Sequence, residues 1–368
     1  MPAIRNYIIH FFYTNILKPI FFLFDPETVH DRMINLGKFL GSKAWGKSLT
    51  RGLFFYSHQA LEQKILGINF KNPVGLAAGF DKNAELTGIL PHVGFGFEEA
   101  GSITGEPCPG NAKPRLWRLK KSKSLLVYYG LKNDGCEAIA QILQGRKFNF
   151  PLGISIAKTN SPSTVSVEEG INDYAKAYKT FQTIGDYCTI NISCPNAFGG
   201  EPFSEPERLS LLLDAINKLP KPKPIFLKMP AELPFSKVDE IIGLARQYKI
   251  DGFVCTNLAK DRHNNSIKDE NFPNTGGMSG KVVEELADGL IKYIYGKTRG
   301  EFVIMGCGGI FSAEDAYRKI KLGASLLQLI TGMIYEGPQL ISDINRGLVE
   351  YLKQDGYKNI SEAVGEDN

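Results

Sequence analysis

Residues 191–196 place two amides and a thiol directly after an apolar run, which makes them the stretch of the chain best equipped for chemistry. The run from Tyr187 to Ile190 predicts a buried strand that ends at Asn191, and barrel enzymes carry their catalytic groups at such strand ends. A free thiol titrates at about 8.5 and a nearby cation lowers that value, so Cys194 is a candidate general base. The alternative is that Cys194 is a small buried hydrophobe.

Glycine-rich stretches end two later apolar runs, at residues 306–309 and 330–332. Glycines allow close approach of the backbone and leave N–H groups free, and the seventh and eighth strands of a barrel are where such enzymes hold phosphate. We therefore expect a phosphate site there. The alternative is that these glycines only make turns.

Two lysines stand near other strand ends, Lys82 after the first strand and Lys228 in the fifth. A lysine in the otherwise apolar run 224–229 loses hydration unless an anion is present, and a negatively charged cofactor would supply one. The alternative is a strand-end lysine that reaches solvent. Asn257 adds a third amide, able to donate and accept hydrogen bonds at a planar polar ligand.

Eight apolar or β-branched runs must position these groups, and most of them alternate with helical patterns. This alternation predicts an α/β fold, a parallel (β/α)8 TIM barrel that follows a hairpin turning near Gly67. The predicted strands are 74–78, 96–102, 152–157, 187–193, 224–229, 252–256, 302–306 and 325–330. We expect three parts, namely an N-terminal helical segment (residues 1–60), the barrel (61–352) and a C-terminal tail (353–368).

The composition bounds the class of protein. The chain has 368 residues, 43% of them hydrophobic, which suits one barrel with a small appendage. Its six cysteines form no C-x-x-C pair and have no histidines at metal-ligand spacing, and no secretory signal is recognisable. We therefore expect no metal site and a reduced, intracellular protein.

The net charge of +4 arises in the N-terminal sixth of the chain. Through residue 64 there are eight Lys and Arg against four Asp and Glu, whereas the remainder has 35 of each kind. The aromatic and aliphatic residues of this segment are not interleaved with polar side chains that could recognise nucleic-acid bases, so we expect no nucleic-acid partner. No run of about 20 apolar residues is present, so the segment should lie on a membrane and not cross it.

Residues 26–40 predict an amphipathic helix with Asp25 as its N-cap. Its apolar face is formed by Val29, Met33, Leu36 and Leu40. With the aromatic stretch before it, this makes two short amphipathic helices with basic flanks, which is typical of an interfacial anchor. The alternative is that the apolar face docks on the barrel. We expect a peripheral protein on the cytoplasmic side of the cell membrane, because no organelle presequence is recognisable.

Several motifs, taken in order along nearly the whole chain, resemble those of the dihydroorotate dehydrogenases, specifically the membrane-associated, quinone-using class 2. The motifs are residues 24–27 with His30, 71–82, 109–119, 191–196, 275–280 and 323–328.

The resemblance implies oxidation of dihydroorotate to orotate, a step of pyrimidine biosynthesis, with FMN at the barrel mouth and a membrane quinone as electron acceptor. Cys194 would remove a proton while hydride passes to the flavin. The implied substrate-binding residues are Lys82, Asn191, Asn196 and Asn257. The implied FMN-binding residues are Ala78, Gly79, Ser102, Ser155, Asn191, Lys228, Thr256, Gly280, Gly308, Gly309, Ile330 and Thr331. His30 and Arg118 would line a quinone tunnel that the N-terminal helices form.

Four positions depart from the family pattern. Class 2 enzymes carry serine where Cys194 stands, and Ser155 replaces a flavin-side asparagine. Val127 stands in place of a fourth substrate-binding asparagine, and Leu258 replaces a substrate-side threonine. A polar group left without its partner costs about 1–3 kcal/mol, so the alternative is a related flavoenzyme that acts on a different small cyclic or unsaturated substrate. A third interpretation is a flavin-binding protein without turnover, against which the retained Cys194, Lys82 and Lys228 argue.

Overall fold

The structure is a computed structural model that describes residues 2–193, 199–200 and 202–368. Its N-terminal part consists of α1 (Pro2–Phe12), a π-helical turn (Tyr13–Leu17), α2 (Lys18–Phe21), α3 (Pro26–Ser42) and α4 (Ala44–Phe54). Asp25 caps α3 as expected, because its carboxylate accepts the Thr28 N–H at 2.8 Å. Within the described ranges, the helices fall short of the length and apolarity that crossing a bilayer requires.

The N-terminal part contains more helical elements than the two that the sequence predicted. Thr14 and Asn15 are polar residues within the apolar stretch, and both bond back to the preceding turn. Thr14 Oγ1 donates to the His10 carbonyl at 2.7 Å, and Asn15 Nδ2 donates to the Phe11 carbonyl at 2.9 Å. These hydrogen bonds satisfy helical carbonyls with side chains, so the chain stays helical through a π-helical turn instead of breaking.

Eight parallel strands close into a barrel, which confirms the predicted TIM-barrel fold. They follow the hairpin of β1 (Gln63–Ile65) and β2 (Ile68–Phe70), which turns at Gly67 as predicted. The barrel strands are β3 (Val74–Leu76), β4 (Phe97–Ile103), β7 (Leu152–Ile156), β8 (Tyr187–Asn191), β9 (Ile225–Lys228), β10 (Gly252–Cys255), β12 (Val303–Cys307) and β13 (Leu326–Leu329). Each lies within two residues of a predicted run, because buried parallel strands read as continuous apolar segments.

Helices surround the barrel and bury its outer face. They are α5 (Leu90–Val93), α6 (Cys136–Leu143), α7 (Val167–Thr180), α8 (Pro206–Asn217), α9 (Phe235–Gln247), α10 (Glu284–Thr298), α11 (Ala313–Lys321), α12 (Thr331–Glu336) and α13 (Leu340–Asp355). Short 3-10 turns occur at Gln59–Leu61, Pro162–Thr164, Pro202–Ser204, Gly280–Val283 and Ile360–Ala363. The main apolar core lies between these helices and the strands.

The inside of the barrel is filled by large side chains. Phe97, Tyr187 and Phe226 are buried there with ring centroids 5.4–6.5 Å apart in edge-to-face contacts. Because these rings fill the interior, the barrel is a packed core and not a channel, and proteins of this fold bind their ligands at the carboxyl ends of the strands.

A small antiparallel sheet covers one side of the barrel mouth, and the sequence did not predict it. It pairs β5 (Leu116–Leu119) with β6 (Ser124–Val127), and β6 with β11 (Gly277–Met278). Met278 also bridges to Ala259, so the long connection after β10 is tied at both of its ends.

Candidate active site

Asn191 is the last residue of β8, and its amide is held by neighbours on both sides. Its Nδ2 donates to Ser102 Oγ at 2.8 Å, and its Oδ1 accepts from Ser193 Oγ at 2.9 Å. Asn257 Nδ2 in turn lies 2.8 Å from Ser193 Oγ. The structure therefore joins Asn191 and Asn257, predicted from separate strands, in one hydrogen-bonded cluster that lines the cavity at the barrel mouth.

Ser102 and Thr256 also line this cavity, whereas Ser155 lies behind it. Ser155 is completely buried, and its hydroxyl lies 2.8 Å from Ser102 Oγ. Its direct contact is therefore with Ser102 and not with the cavity. Thr256 Oγ1 donates to the Met229 carbonyl at 2.9 Å, which fixes the orientation of its side chain.

Lys228 ends β9 and is only 4% exposed, with its side chain lining the cavity. No carboxylate of the described residues lies within ion-pair distance of it. A buried amino group without a carboxylate partner among the described residues favours an anionic ligand, which would offset its lost hydration.

Glycines with left-handed backbone form a cradle just after β11 and β12. Gly280, Gly308 and Gly309 have φ values of +75°, +120° and +75°. A Cβ on Gly280 would lie 2.4 Å from the Lys123 carbonyl oxygen and 2.8 Å from Thr331 Cγ2, so only glycine fits there. Together with Ile330 and Thr331, the three glycines line the same cavity as Lys228.

Lys82 also lines this cavity, a few residues after β3 and close in sequence to Ala78 and Gly79. Its ammonium lies 4.1 Å from the centroid of the Tyr129 ring and 3.4 Å from His30 Nε2. Burial, followed by the charge of Lys132, lowers the pKa of Lys82 to about 8. Within the described part of the chain its ammonium has no ion pair, so this end of the cavity also suits an anion.

The cavity continues from the barrel mouth into the N-terminal helices and has a volume of about 600 Å³. Tyr13, Met33 and Leu36 line its outer part. Arg118 also lines it, donating to the Phe24 carbonyl at 2.8 Å and lying 4.5 Å from the Phe22 ring centroid. His30 and Arg118, predicted for the quinone side, thus share one cavity with Lys82 and Lys228.

A buried ion pair fixes α3 against the barrel. Glu27 is 2% exposed, and its carboxylate accepts from Arg115 at 2.8 Å and 3.1 Å. Lys113 and Lys132 lie 3.4 Å and 3.6 Å from the same carboxylate. The sequence did not predict this ion pair, because Arg115 lies 88 positions away from Glu27 along the chain.

Cys194 and Asn196 lie outside the described residues, so their roles stay predictions. Tyr129 is a site residue that sequence reasoning did not assign. Its ring contacts both Lys82 and Arg115, and a tyrosine in a loop offers no pattern that would have revealed this.

Barrel and site together define a TIM-barrel protein whose cavity, at the carboxyl ends of the strands, suits an anionic ligand. Comparisons with known proteins identify the family within this class. Residues 60–352 match the family described as dihydroorotate dehydrogenase.

Curated relatives cover almost the whole chain. Proteins named dihydroorotate dehydrogenase (quinone) from Gloeobacter violaceus and Haloarcula marismortui are each 36% identical to it. The alignment with the Gloeobacter violaceus protein covers 95% of this chain and 97% of that protein. The alignment with the Haloarcula marismortui protein covers 96% of this chain and 99% of that protein. A dihydroorotate dehydrogenase structure from Eimeria tenella, solved in complex with ferulenol, superposes with a TM-score of 0.82 at 29% identity and covers 93% of this chain and 96% of that one.

The chain belongs to the dihydroorotate dehydrogenase family, in its quinone-dependent class 2. It is therefore an oxidoreductase of a flavoenzyme family. These relatives do not favour the alternative of a different small substrate, although the apolar Val127 and Leu258 both line the cavity.

Proposed function

We propose that this protein oxidises dihydroorotate to orotate and passes the electrons through FMN to a membrane quinone. The observation that carries the proposal is the single cavity, which runs from Asn191 and Lys228 to His30 and Arg118. A cofactor at the barrel mouth is then within reach of a substrate at one side and of an acceptor that enters between the N-terminal helices.

The residues around the barrel mouth fit FMN. The phosphate would lie against Gly280, Gly308, Gly309, Ile330 and Thr331, where close backbone approach is possible. The ring system would lie against Ala78, Gly79, Ser102, Asn191, Lys228 and Thr256, with Ser155 holding Ser102. When bound, FMN accepts a hydride from the substrate and later releases both electrons. Lys228 would stabilise the negative charge that the flavin ring gains on reduction, because no carboxylate of the described residues neutralises the Lys228 ammonium.

The substrate would be held by groups of two kinds. Lys82 offers a positive charge to the carboxylate of dihydroorotate, and the amides of Asn191, Asn196 and Asn257 offer donors and acceptors to the ring. Cys194, next to this amide cluster in the chain, would remove a proton beside the ring carbonyl as general base.

The outer surface of the N-terminal helices supports peripheral membrane association. Large apolar side chains are exposed there, including Ile4, Tyr7 and Leu23, which are 68%, 71% and 83% exposed. The basic residues nearby are Lys18, Arg32, Lys38, Lys43, Lys47 and Arg51. Exposed apolar area with basic flanks favours binding to an anionic bilayer, and we place the protein on the cytoplasmic side of the cell membrane.

The proposal is tested by closing the outer part of the cavity. Met33→Trp fills the space between α3 and the barrel, so reduction of a short-chain ubiquinone should fall sharply, while reduction of the flavin by dihydroorotate persists. Leu49→Trp is the matched control, because Leu49 is exposed on α4 and does not line the cavity. Undiminished quinone reduction in Met33→Trp would show that the quinone does not enter here.

A further inference from the structure

His30 contacts the substrate side of the cavity as well as the quinone side. Its Nε2 lies 3.4 Å from Lys82 Nζ and 2.8 Å from the Phe80 carbonyl oxygen. Its Nδ1 lies 3.2 Å from Asp31 Oδ1. One imidazole on α3 thus touches both the backbone and the ammonium of the loop that carries Lys82.

The two contacts of Nε2 exclude each other. A hydrogen bond to the Phe80 carbonyl requires a proton on Nε2, whereas accepting from the Lys82 ammonium requires its lone pair. Burial, and next the charge of Lys82, lowers the pKa of His30 to about 4. At neutral pH the ring is therefore uncharged and carries a single proton. A proton on Nδ1 serves two charged partners, the Asp31 carboxylate and the Lys82 ammonium, whereas a proton on Nε2 serves the neutral Phe80 carbonyl, so we assign it to Nδ1, which leaves Nε2 to accept from Lys82.

The charges around Lys82 make His30 Nε2 important as a hydrogen-bond acceptor for the Lys82 ammonium. Lys132 opposes the charge of the Lys82 ammonium, while Asp31, Glu27 and Asp81 favour it. None of these three carboxylates lies within ion-pair distance of the Lys82 nitrogen. Among the described residues, its close contacts are the Tyr129 ring and the His30 nitrogen.

We propose that His30 is a positioning residue for Lys82, so that a side chain of the quinone tunnel governs binding in the substrate pocket. By accepting one N–H of the ammonium, His30 keeps Lys82 charged and turned toward the substrate carboxylate. This inference rests on the proposed function, because it takes the ligand of Lys82 to be the carboxylate of dihydroorotate or orotate.

The test is the affinity of the holoenzyme for orotate, measured from the change in flavin absorbance without any quinone present. In the wild type, orotate should bind less well as pH rises through about 8, where Lys82 loses its proton. His30→Leu removes the acceptor, so at pH about 7.5 the Kd should rise about tenfold, and the alkaline loss of affinity should begin at lower pH.

Further variants separate positioning from folding. His30→Asn has a shorter amide that reaches toward Asp31 but not Lys82, and it should lose affinity as His30→Leu does. His30→Gln can place its amide oxygen near the position of Nε2 and should restore wild-type binding. Arg118→Leu alters the same tunnel without contacting Lys82, so it should impair quinone reduction and leave orotate affinity unchanged.

The outcomes distinguish this inference from the proposed function. Wild-type affinity and pH dependence in both His30→Leu and His30→Asn would overturn the role of His30, as would an equal loss in His30→Gln. A wild-type holoenzyme that bound no orotate would instead overturn the proposed substrate itself.

Discussion

Replacing Glu27 by glutamine should loosen the N-terminal helices from the barrel. The Glu27 carboxylate is buried against Arg115, which also donates to the carbonyls of Pro109 and Asn111, both at 2.8 Å. Glutamine has nearly the same size but no charge, so it leaves the buried guanidinium without its anion. The change therefore removes the ion pair and keeps the packing.

The size of the effect follows from the electrostatics of the site. Burial alone would raise the pKa of the Glu27 carboxyl, but the hydrogen bonds and charge of Arg115, together with Lys113, lower it to about 2. A fall from the ordinary 4.5 to about 2 corresponds to about 3 kcal/mol of stabilisation. Removing one partner of a buried pair costs roughly 3–5 kcal/mol, so we expect a loss of about 3 kcal/mol.

Denaturant unfolding and limited proteolysis of the N-terminal helices measure this loss. Glu85→Gln is the matched control, since it removes the exposed pair with Lys38, also between α3 and the barrel, which should contribute less than about 1 kcal/mol. Because the folded pKa of Glu27 is depressed, its contribution is complete above pH about 4.5 and is lost as pH falls toward about 2. Equal stability of the two variants would refute the reasoning.

Three further substitutions test the site. Cys194→Ala should abolish reduction of the flavin by dihydroorotate while the protein stays yellow, and unchanged reduction in stopped-flow measurements would remove the general-base assignment. Gly280→Ala should prevent retention of FMN, because the added Cβ would lie 2.4 Å from the Lys123 carbonyl oxygen. The control Gly289→Ala, whose added Cβ would have no atom within 4 Å, should retain FMN. Equal flavin content in the two variants would contradict the role of Gly280 in holding the phosphate. Val127→Asn should lower the KM for dihydroorotate about tenfold by adding a polar partner, and a higher KM would show that the apolar wall suits the substrate.

The barrel was predictable from the sequence because most of its strands are mainly apolar or glycine-punctuated runs that alternate with helical patterns, although β4 also contains Glu98 and Glu99. The small sheet was not, since β11 has two residues and pairs with β6 about 150 positions away. In the N-terminal part, the additional helical elements were not predictable, because single-sequence patterns do not show that the side chains of Thr14 and Asn15 bond back to the helix.

The candidate site was predictable where residues stand at strand ends, as with Asn191, Lys228 and Asn257. Contacts between α3 and distant loops were not, and these include the pairs Glu27 with Arg115 and His30 with Lys82. Such contacts depend on how α3 lies over the barrel mouth, which no local periodicity encodes. The apolar face of α3 was predictable, but what it faces was not. Its residues Val29, Met33, Leu36 and Leu40 line the cavity.

Anaerobic titration of the oxidised holoenzyme with dihydroorotate, followed by a short-chain ubiquinone, tests the central claim most directly. The account predicts that about one equivalent of dihydroorotate bleaches the flavin absorbance and that the quinone then restores it, because one cavity serves both reactants. A flavin that dithionite bleaches but dihydroorotate leaves oxidised would contradict it.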